Sequence, residues 1–191
     1  MTATAESAAD AAAVARVLAG DHDAFAELVR RHQNPLYRYA RGLGLDHDTA
    51  LDLVQETFVK AFARCDQCRE ADRFRSWLFR VFRNTMLDWA KNVRRTEVSI
   101  LDVDDAAHDE DFAERLALRE ALGGALTALP SILREAFLLR HNLGHPYEEI
   151  AEITGITLSA AKMRVARARE ALREALDADY GDVTSAGSRS S

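Results

Sequence analysis

The sequence predicts an all-α protein of two small helical domains joined by an acidic extended linker, the second domain containing a helix-turn-helix. Three observations carry this. Only three prolines and nine glycines interrupt 191 residues, so long stretches are free of helix breakers. The composition is rich in Ala, Leu, Arg and Glu, which lose little entropy in helices. Apolar residues recur at helical spacing in two blocks, separated by a run with Asp102, Asp104, Asp105, Asp109, Glu110 and Asp111.

Residues 1–12 are small and polar and are predicted to fray. The first helical block spans 13–95. Phe25, Leu28, Val29, His32, Leu36, Tyr39 and Leu43 recur at helical spacing before Gly42 and Gly44 punctuate the chain. Asp46 or Asp48 can cap the next helix, whose predicted apolar stripe is Leu51, Val54, Phe58, Ala61 and Phe62. Asp52, Gln55, Glu56 and Val59 take its other side. A loop with Cys65, Asp66, Gln67 and Cys68 leads to a long helix over about 72–92.

On that helix Phe74, Leu78, Val81 and Thr85 share one side at 100° per residue. Arg73, Arg80, Asn84 and Lys91 fall within about 40° of one another on a different side, bordered by Trp77 and Arg83. A basic ridge edged by an aromatic and an amide suits phosphates and an unstacked base. The plain alternative is a core helix whose arginines extend their charges into solvent.

Residues 96–111 read as a linker held extended by like charges. The second block spans 112–178, and 179–191 is predicted to be a disordered tail. Tyr147–Ile153 reads as a short helix and Thr154-Gly155-Ile156 as a tight turn. Thr157 can cap a second helix with Ala161, Val165, Ala168 and Leu172 inward. Ser159, Met163 and Arg167 lie opposite that stripe, with Lys162 and Arg164 on its flanks. A small residue at 151 and a glycine at 155 let two helices pack as in a helix-turn-helix. Helix pairs with glycine turns also occur as plain packing units.

Charge is segregated along the chain. The total is −6, from 25 basic and 31 acidic residues. Residues 69–95 hold eight basic and three acidic residues (+5), 96–120 two and nine (−7), and 156–173 five and one (+4). Local basic patches are what phosphates meet, whatever the total, although such runs are also ordinary solvated faces.

Other chemistries find little support. Two cysteines exclude a disulfide framework and fit a reducing compartment. No apolar run approaches the ~20 residues of a membrane span, and no signal peptide is recognisable, so the expected location is cytoplasmic without membrane insertion. No Ser/His/Asp set, phosphate-cradling loop or paired carboxylates appear, so no enzyme, cofactor or metal site is expected. The six histidines form no ligand cluster. Cys65 and Cys68 lack a redox-fold context and read as buried, inert thiols.

Several segments together resemble the bacterial RNA polymerase sigma factors of the extracytoplasmic-function (ECF) group, in the sigma-70 superfamily. They are Asp52-Leu53-Val54-Gln55-Glu56-Thr57-Phe58, Phe74-Arg75-Ser76-Trp77-Leu78-Phe79-Arg80 and Asn84, then Leu129-Pro130, Leu138-Leu139-Arg140, Tyr147-Glu148-Glu149-Ile150-Ala151 and Arg167-Ala168-Arg169. Their order and spacing match the family over about residues 20–175. The resemblance implies a protein that binds core RNA polymerase, recognises −35 DNA and melts the −10 element. Asp52, Gln55 and Glu56 would meet the clamp helices of the largest subunit. Arg73, Trp77, Arg80, Arg83, Asn84 and Lys91, with the 65–72 loop, would hold the melted −10 strand. The second block would dock on the polymerase flap, with Ser159, Lys162, Met163, Arg164 and Arg167 at −35 DNA, and the linker would follow the RNA path. An anti-sigma factor would be a further partner. The segment Ser159-Ala160-Ala161-Lys162-Met163 departs from the family's usual pattern in having a small core residue at 161 and an apolar one at 163.

Two rival readings remain: a stand-alone helix-turn-helix regulator, and a thiol redox protein using Cys65 and Cys68. Stand-alone regulators usually dimerise to reach two half-sites, and residues 117–129 make no heptad seam.

Overall fold

The computed structural model describes residues 2–68, 70–94 and 122–186, with no strand among the described residues. The expected linker, the start of the second block at 112 and residues 187–191 lie outside them.

The chain opens with α1 (Thr2–Leu18), which corrects the frayed N-terminus expected for residues 1–12. Ala13, Val14 and Val17 are buried, and so is the carboxylate of Asp10. Asp10 accepts from Arg31 and pairs with His32 Nε2 at 2.9 Å. A buried charge is tolerated when it is paired and hydrogen-bonded, and here the pairing fixes α1 on α2 (Phe25–Gly42). Ser7 Oγ donates to the Asp72 carbonyl at 2.5 Å, which ties α1 to the loop before α4.

The stripe expected on α2 is buried at Phe25, Leu28, His32, Leu36 and Tyr39. Asp46 caps α3 (His47–Ala63), its Oδ1 accepting from Thr49 N at 2.9 Å. The α3 stripe is rotated from the one expected. Ala50, Leu53, Val54, Thr57, Phe58 and Ala61 face inward, while Leu51 and Phe62 are exposed. Thr57 can face the core because its hydroxyl donates to the Leu53 carbonyl at 2.6 Å.

Two short 3-10 turns, Cys65–Gln67 and Ala71–Arg73, lead into α4 (Phe74–Arg94). Phe74, Leu78 and Thr85 are buried as expected and Val81 partly so. Phe79 and Phe82, which had no expected role, are completely buried. The second block comprises α5 (122–128), α6 (Ser131–Phe137) continuing into a π turn at Leu138–Asn142, α7 (Tyr147–Thr154) and α8 (Leu158–Ala186). α8 runs eight residues into the stretch from 179 that was expected to be disordered.

The two blocks pack on one another. Phe79 meets the Tyr39 ring at 5.4 Å and the His145 ring at 4.9 Å between centroids. The core around them continues into Leu138, Leu139, Ile150 and Ile153. Gly42 permits this approach, because a Cβ there would meet Leu138 Cδ1 at 3.0 Å. A smaller cluster of Ala125, Leu129, Ala168 and Leu172 closes the far side of the second block.

His145 is fully enclosed, and its ring pairs with Glu149 Oε2 at 2.6 Å through Nδ1, while Nε2 has no partner. With Glu149 ionised, Nδ1–H donates. Burial pushes His145 below its ordinary 6.5, against the opposing hydrogen bond to Glu149 and with help from Arg75 and His32. Burial raises Glu149, but the hydrogen bond from His145 holds it below 4.5. Below pH 6.5 the unfolded chain therefore binds a proton that the folded chain refuses, and stability falls as pH falls. The Glu149 contribution has the same sign and is lost lower, below its unfolded value of 4.5 as pH falls through its folded one. Thermal unfolding between pH 7 and 5 is expected to show a loss on the order of 1 kcal/mol that His145→Gln reduces, the remainder coming from His141, which burial also holds below 6.5. A flat profile in the native protein would contradict this.

Candidate nucleic-acid interface

The basic ridge begins at Arg73, at the end of the second 3-10 turn, and continues along α4 in three parts. Arg80, Asn84 and Lys91 are exposed, with Lys91 Nζ 3.3 Å from Asp88 Oδ1. Trp77 is half-buried, its ring 5.6 Å from that of Phe74. Arg73 and Arg83 turn toward the second block. Arg73 Nη2 lies 2.6 Å from Glu152 Oε1 and its Nη1 3.2 Å from Glu70 Oε2. Arg83 Nε lies 2.7 Å from Glu135 Oε1, whose residue is buried.

Beside the ridge the two 3-10 turns leave a pocket of about 720 Å³, lined by Asp66, Gln67, Cys68, Glu70, Arg73, Ser76, Trp77, Arg80 and Glu152. Its wall offers an indole, an amide, a hydroxyl that donates to the Arg73 carbonyl, and two guanidiniums, with three carboxylates among them, two of which pair with Arg73. That set can stack an unstacked base, meet its edge and hold its phosphates.

Both cysteines are buried, Cys65 3% and Cys68 6% exposed, and both are free thiols. Burial pushes the Cys68 thiol up to about 11, with Cys65 adding to it. Burial also raises Cys65. At neutral pH neither supplies much thiolate, the reactive form. Cys68→Ala is expected to cost about 1 kcal/mol through a small cavity, and the native protein to resist a thiol-specific reagent until unfolded. Rapid labelling of native Cys68 would contradict this.

The helix-turn-helix forms, but Gly155 serves it through its backbone conformation and not through close packing, since a Cβ there would meet nothing within 4 Å. Gly155 closes α7 at φ 68°, a left-handed conformation that favours glycine. Thr157 Oγ1 accepts from Ala160 N at 3.2 Å at the start of α8. Ala161, Val165, Ala168 and Leu172 are buried, while Ser159, Lys162, Met163 and Arg167 are exposed and Arg164 is half-buried. Lys162 Nζ lies 6.0 Å from the Tyr147 ring centroid, on a ring that the Arg140 guanidinium also covers at 4.8 Å. The exposed α8 face is a convex basic surface suited to a duplex groove.

A third face belongs to α3. Asp52, Gln55 and Glu56 are exposed beside Val59, and Glu56 Oε1 pairs with Lys60 Nζ at 2.7 Å. Val59, Leu51 and Phe62 are 65%, 46% and 42% exposed, so this acidic face also carries apolar area.

Sequence reasoning had assigned no role to Arg75, Arg134, Glu135, His145 or Glu152, which join the blocks. Arg75 donates to the Leu143 carbonyl and Arg134 Nη1 to the Leu43 carbonyl at 3.1 Å. The one available signal was Phe79 and Phe82, large apolar residues on a second side of α4. Among the described residues no group of His, Cys, Asp or Glu could hold a metal ion, and no helix is long and apolar enough to cross a membrane.

Comparison with known proteins agrees with this division. The family model for Sigma-70 region 2 matches residues 28–96 and that for Sigma-70, region 4 matches residues 119–172. The RNA polymerase sigma factor NccH of Alcaligenes xylosoxydans xylosoxydans is 33% identical over 172 residues, covering 85% of this chain and 92% of NccH. An ECF RNA polymerase sigma-E factor of Haemophilus influenzae is 34% identical over 183 residues, covering 87% and 94%. The structure of CnrH in complex with the cytosolic domain of CnrY superposes with a TM-score of 0.68 at 32% identity, covering 90% of this chain and 99% of CnrH. The sigma factor RpoE in complex with the anti-sigma factor NepR, from Bartonella quintana, gives 0.68 at 33% identity, covering 81% and 98%.

Proposed function

This chain belongs to the ECF sigma factors of the sigma-70 family, and on that premise we propose how its three faces share the work of promoter-specific transcription with core RNA polymerase. The domain at 13–95 binds the clamp helices through Asp52, Gln55 and Glu56 and takes the melted −10 strand along Arg73, Trp77, Arg80, Arg83, Asn84 and Lys91. The domain at 112–178 docks on the flap and meets −35 DNA through Ser159, Lys162, Met163, Arg164 and Arg167. The protein is a regulatory DNA-binding subunit without catalysis of its own, and it works in the cytoplasm. Because CnrH and RpoE are both found in complexes, RpoE with an anti-sigma factor, we propose an inhibitory partner for this chain too.

One observation carries the reading of the first domain. The pocket next to α4 combines Trp77, Gln67 and Arg80 at the foot of a solvent-facing ridge. Stacking, edge-pairing and phosphate contact are what a single extruded base requires. The test is reconstitution: the purified chain added to core polymerase should yield discrete transcripts from its own genomic DNA. Absence of such transcripts, with dimeric binding to duplex DNA in the absence of polymerase, would instead establish a stand-alone regulator.

The polymerase face makes its own prediction. Glu56 is exposed and carries no part of the core, so Glu56→Lys should leave the fold intact, at a cost limited to like-charge contact with Lys60. Affinity for core polymerase should fall roughly tenfold, as expected when an interface charge is reversed against a basic partner. Unchanged affinity of the folded variant would remove α3 from the interface.

A further inference from the structure

We propose that Met163 is a specificity-determining residue of α8 and that it reads the 5-methyl group of one thymine in −35 DNA. The proposal rests on the reading of α8 as the −35 face.

The centre of that face is apolar. The buried stripe of Ala161, Val165, Ala168 and Leu172 fixes the inward direction of α8. At 100° per residue, Met163 points within about 10° of the opposite direction. Ser159 lies about 30° to one side of that outward line and Arg167 about 50° to the other, while Lys162 and Arg164 stand roughly at right angles to it. Lys162 is directed along its own flank, its Nζ 6.0 Å from the Tyr147 ring centroid. The next side chain on the outward line is Glu170, two turns further on, which pairs with Arg173 at 3.3 Å. Met163 is 48% exposed and takes no part in the core. The centre of a helix laid in the major groove lies over base edges, and its flanks lie over phosphates. The residue nearest the bases is therefore a thioether, with polar and basic side chains on both sides of it.

A thioether has no donor and is only a weak acceptor. Set over the amino group of cytosine or adenine, or over the acceptors of guanine, it displaces water and returns no hydrogen bond, which costs free energy. The thymine methyl is the one apolar group that the major groove displays. An unbranched, polarizable side chain such as Met163 can extend to a methyl and cover it. Selection at this position thus has two parts, a gain over thymine and a cost over bases with a polar edge there. Ser159 and Arg167 lie one turn before and after Met163, ~6 Å along the axis, or about two base pairs at 3.4 Å per pair. Arginine suits the O6 and N7 of guanine. The thymine read by Met163 accordingly lies within about two base pairs of any guanine that Arg167 reads.

The test uses the full-length chain bound to core polymerase. The probes are duplexes of a promoter mapped by the reconstitution above, randomised over its −35 element. One library carries thymidine in that element and the other deoxyuridine, which lacks only the methyl. Bound duplexes are separated and sequenced. The native protein should favour thymine at one position. In the deoxyuridine library that preference should fall about fourfold, the equivalent of one methyl group taken out of water. Met163→Gln keeps the length of the side chain and replaces its thioether with an amide, and because Met163 is outside the core the fold should persist. That variant should show the same preference at this position in both libraries. Equal preference in both libraries by the native protein overturns the proposal, as does a methyl dependence that survives in Met163→Gln. Arg167→Ala separates this from the reading on which it rests. If Arg167→Ala changes the −35 preference while the methyl changes nothing, α8 reads the element and Met163 does not read thymine. If neither variant alters any −35 preference, the −35 reading of α8 falls and the proposal with it.

Discussion

Phe79→Ala is expected to destabilise the folded chain by about 3–5 kcal/mol, the range for truncating a fully buried phenylalanine. Its ring stands between Tyr39 of the first domain and His145 of the second, with no exposure at all. Alanine would leave a cavity shared by both domains, and neither Tyr39 nor the enclosed His145 could fill it without moving its own partners. The loss should therefore fall chiefly on domain docking. Both tryptophans, Trp77 and Trp89, belong to the first domain. Their fluorescence reports chiefly that domain, although Trp77 shares a pocket with Glu152 of the second, whereas far-ultraviolet circular dichroism reports all the helices. In the native chain the two signals should follow one urea transition, and in Phe79→Ala they should separate. Coincident transitions with a cost below about 1 kcal/mol would mean that the ring is not held between the domains in solution.

That the site was more legible than the arrangement around it has a physical reason. A helix with one apolar side announces itself by its period, and α8 is such a helix: Ala161, Val165, Ala168 and Leu172 lie inward and Ser159, Lys162, Met163 and Arg167 outward, as the spacing predicts. On α3 the apolar positions cover too wide an arc to fix the centre of the stripe. The choice fell to Thr57, a polar residue made compatible with the core by its bond to the Leu53 carbonyl. α1 was illegible because alanine gives no contrast between faces, and its anchor is a carboxylate, Asp10, buried against Arg31 and His32. Docking of the two domains was illegible because its contacts join residues far apart and include charges, Arg73 with Glu152 and Arg83 with Glu135, that periodicity assigns to solvent. Spacing alone puts Arg73 on the basic ridge and Arg83 at its border. Only the structure brings them to carboxylates of the other domain.

Asn84→Ala is expected to slow promoter opening by roughly tenfold or more, corresponding to the 1–3 kcal/mol that a good edge contact to a base supplies. Asn84 is exposed on α4, one turn beyond Arg80 and two turns beyond Trp77. It is the neutral amide on a ridge otherwise made of guanidiniums, an ammonium and an indole. An amide offers two donors and an acceptor and so can pair with a base edge, whereas Arg80 offers only donors and suits the flanking phosphates. Extracting a base from the stack costs a few kcal/mol. A contact made only with the extracted base offsets part of that cost in the melted state and nothing in the duplex, so it favours opening without strengthening initial binding. The alanine variant should accordingly bind core polymerase and duplex −35 DNA as the native chain does. Its defect should appear in permanganate reactivity of thymines within the bubble and in relaxed selectivity at a single −10 position. Because Asn84 buries nothing, its loss should leave the melting temperature within about 2 °C of native. A variant with normal permanganate reactivity and unaltered −10 preference would reduce Asn84 to a surface residue and transfer base recognition to the pocket formed by Trp77, Gln67 and Arg80.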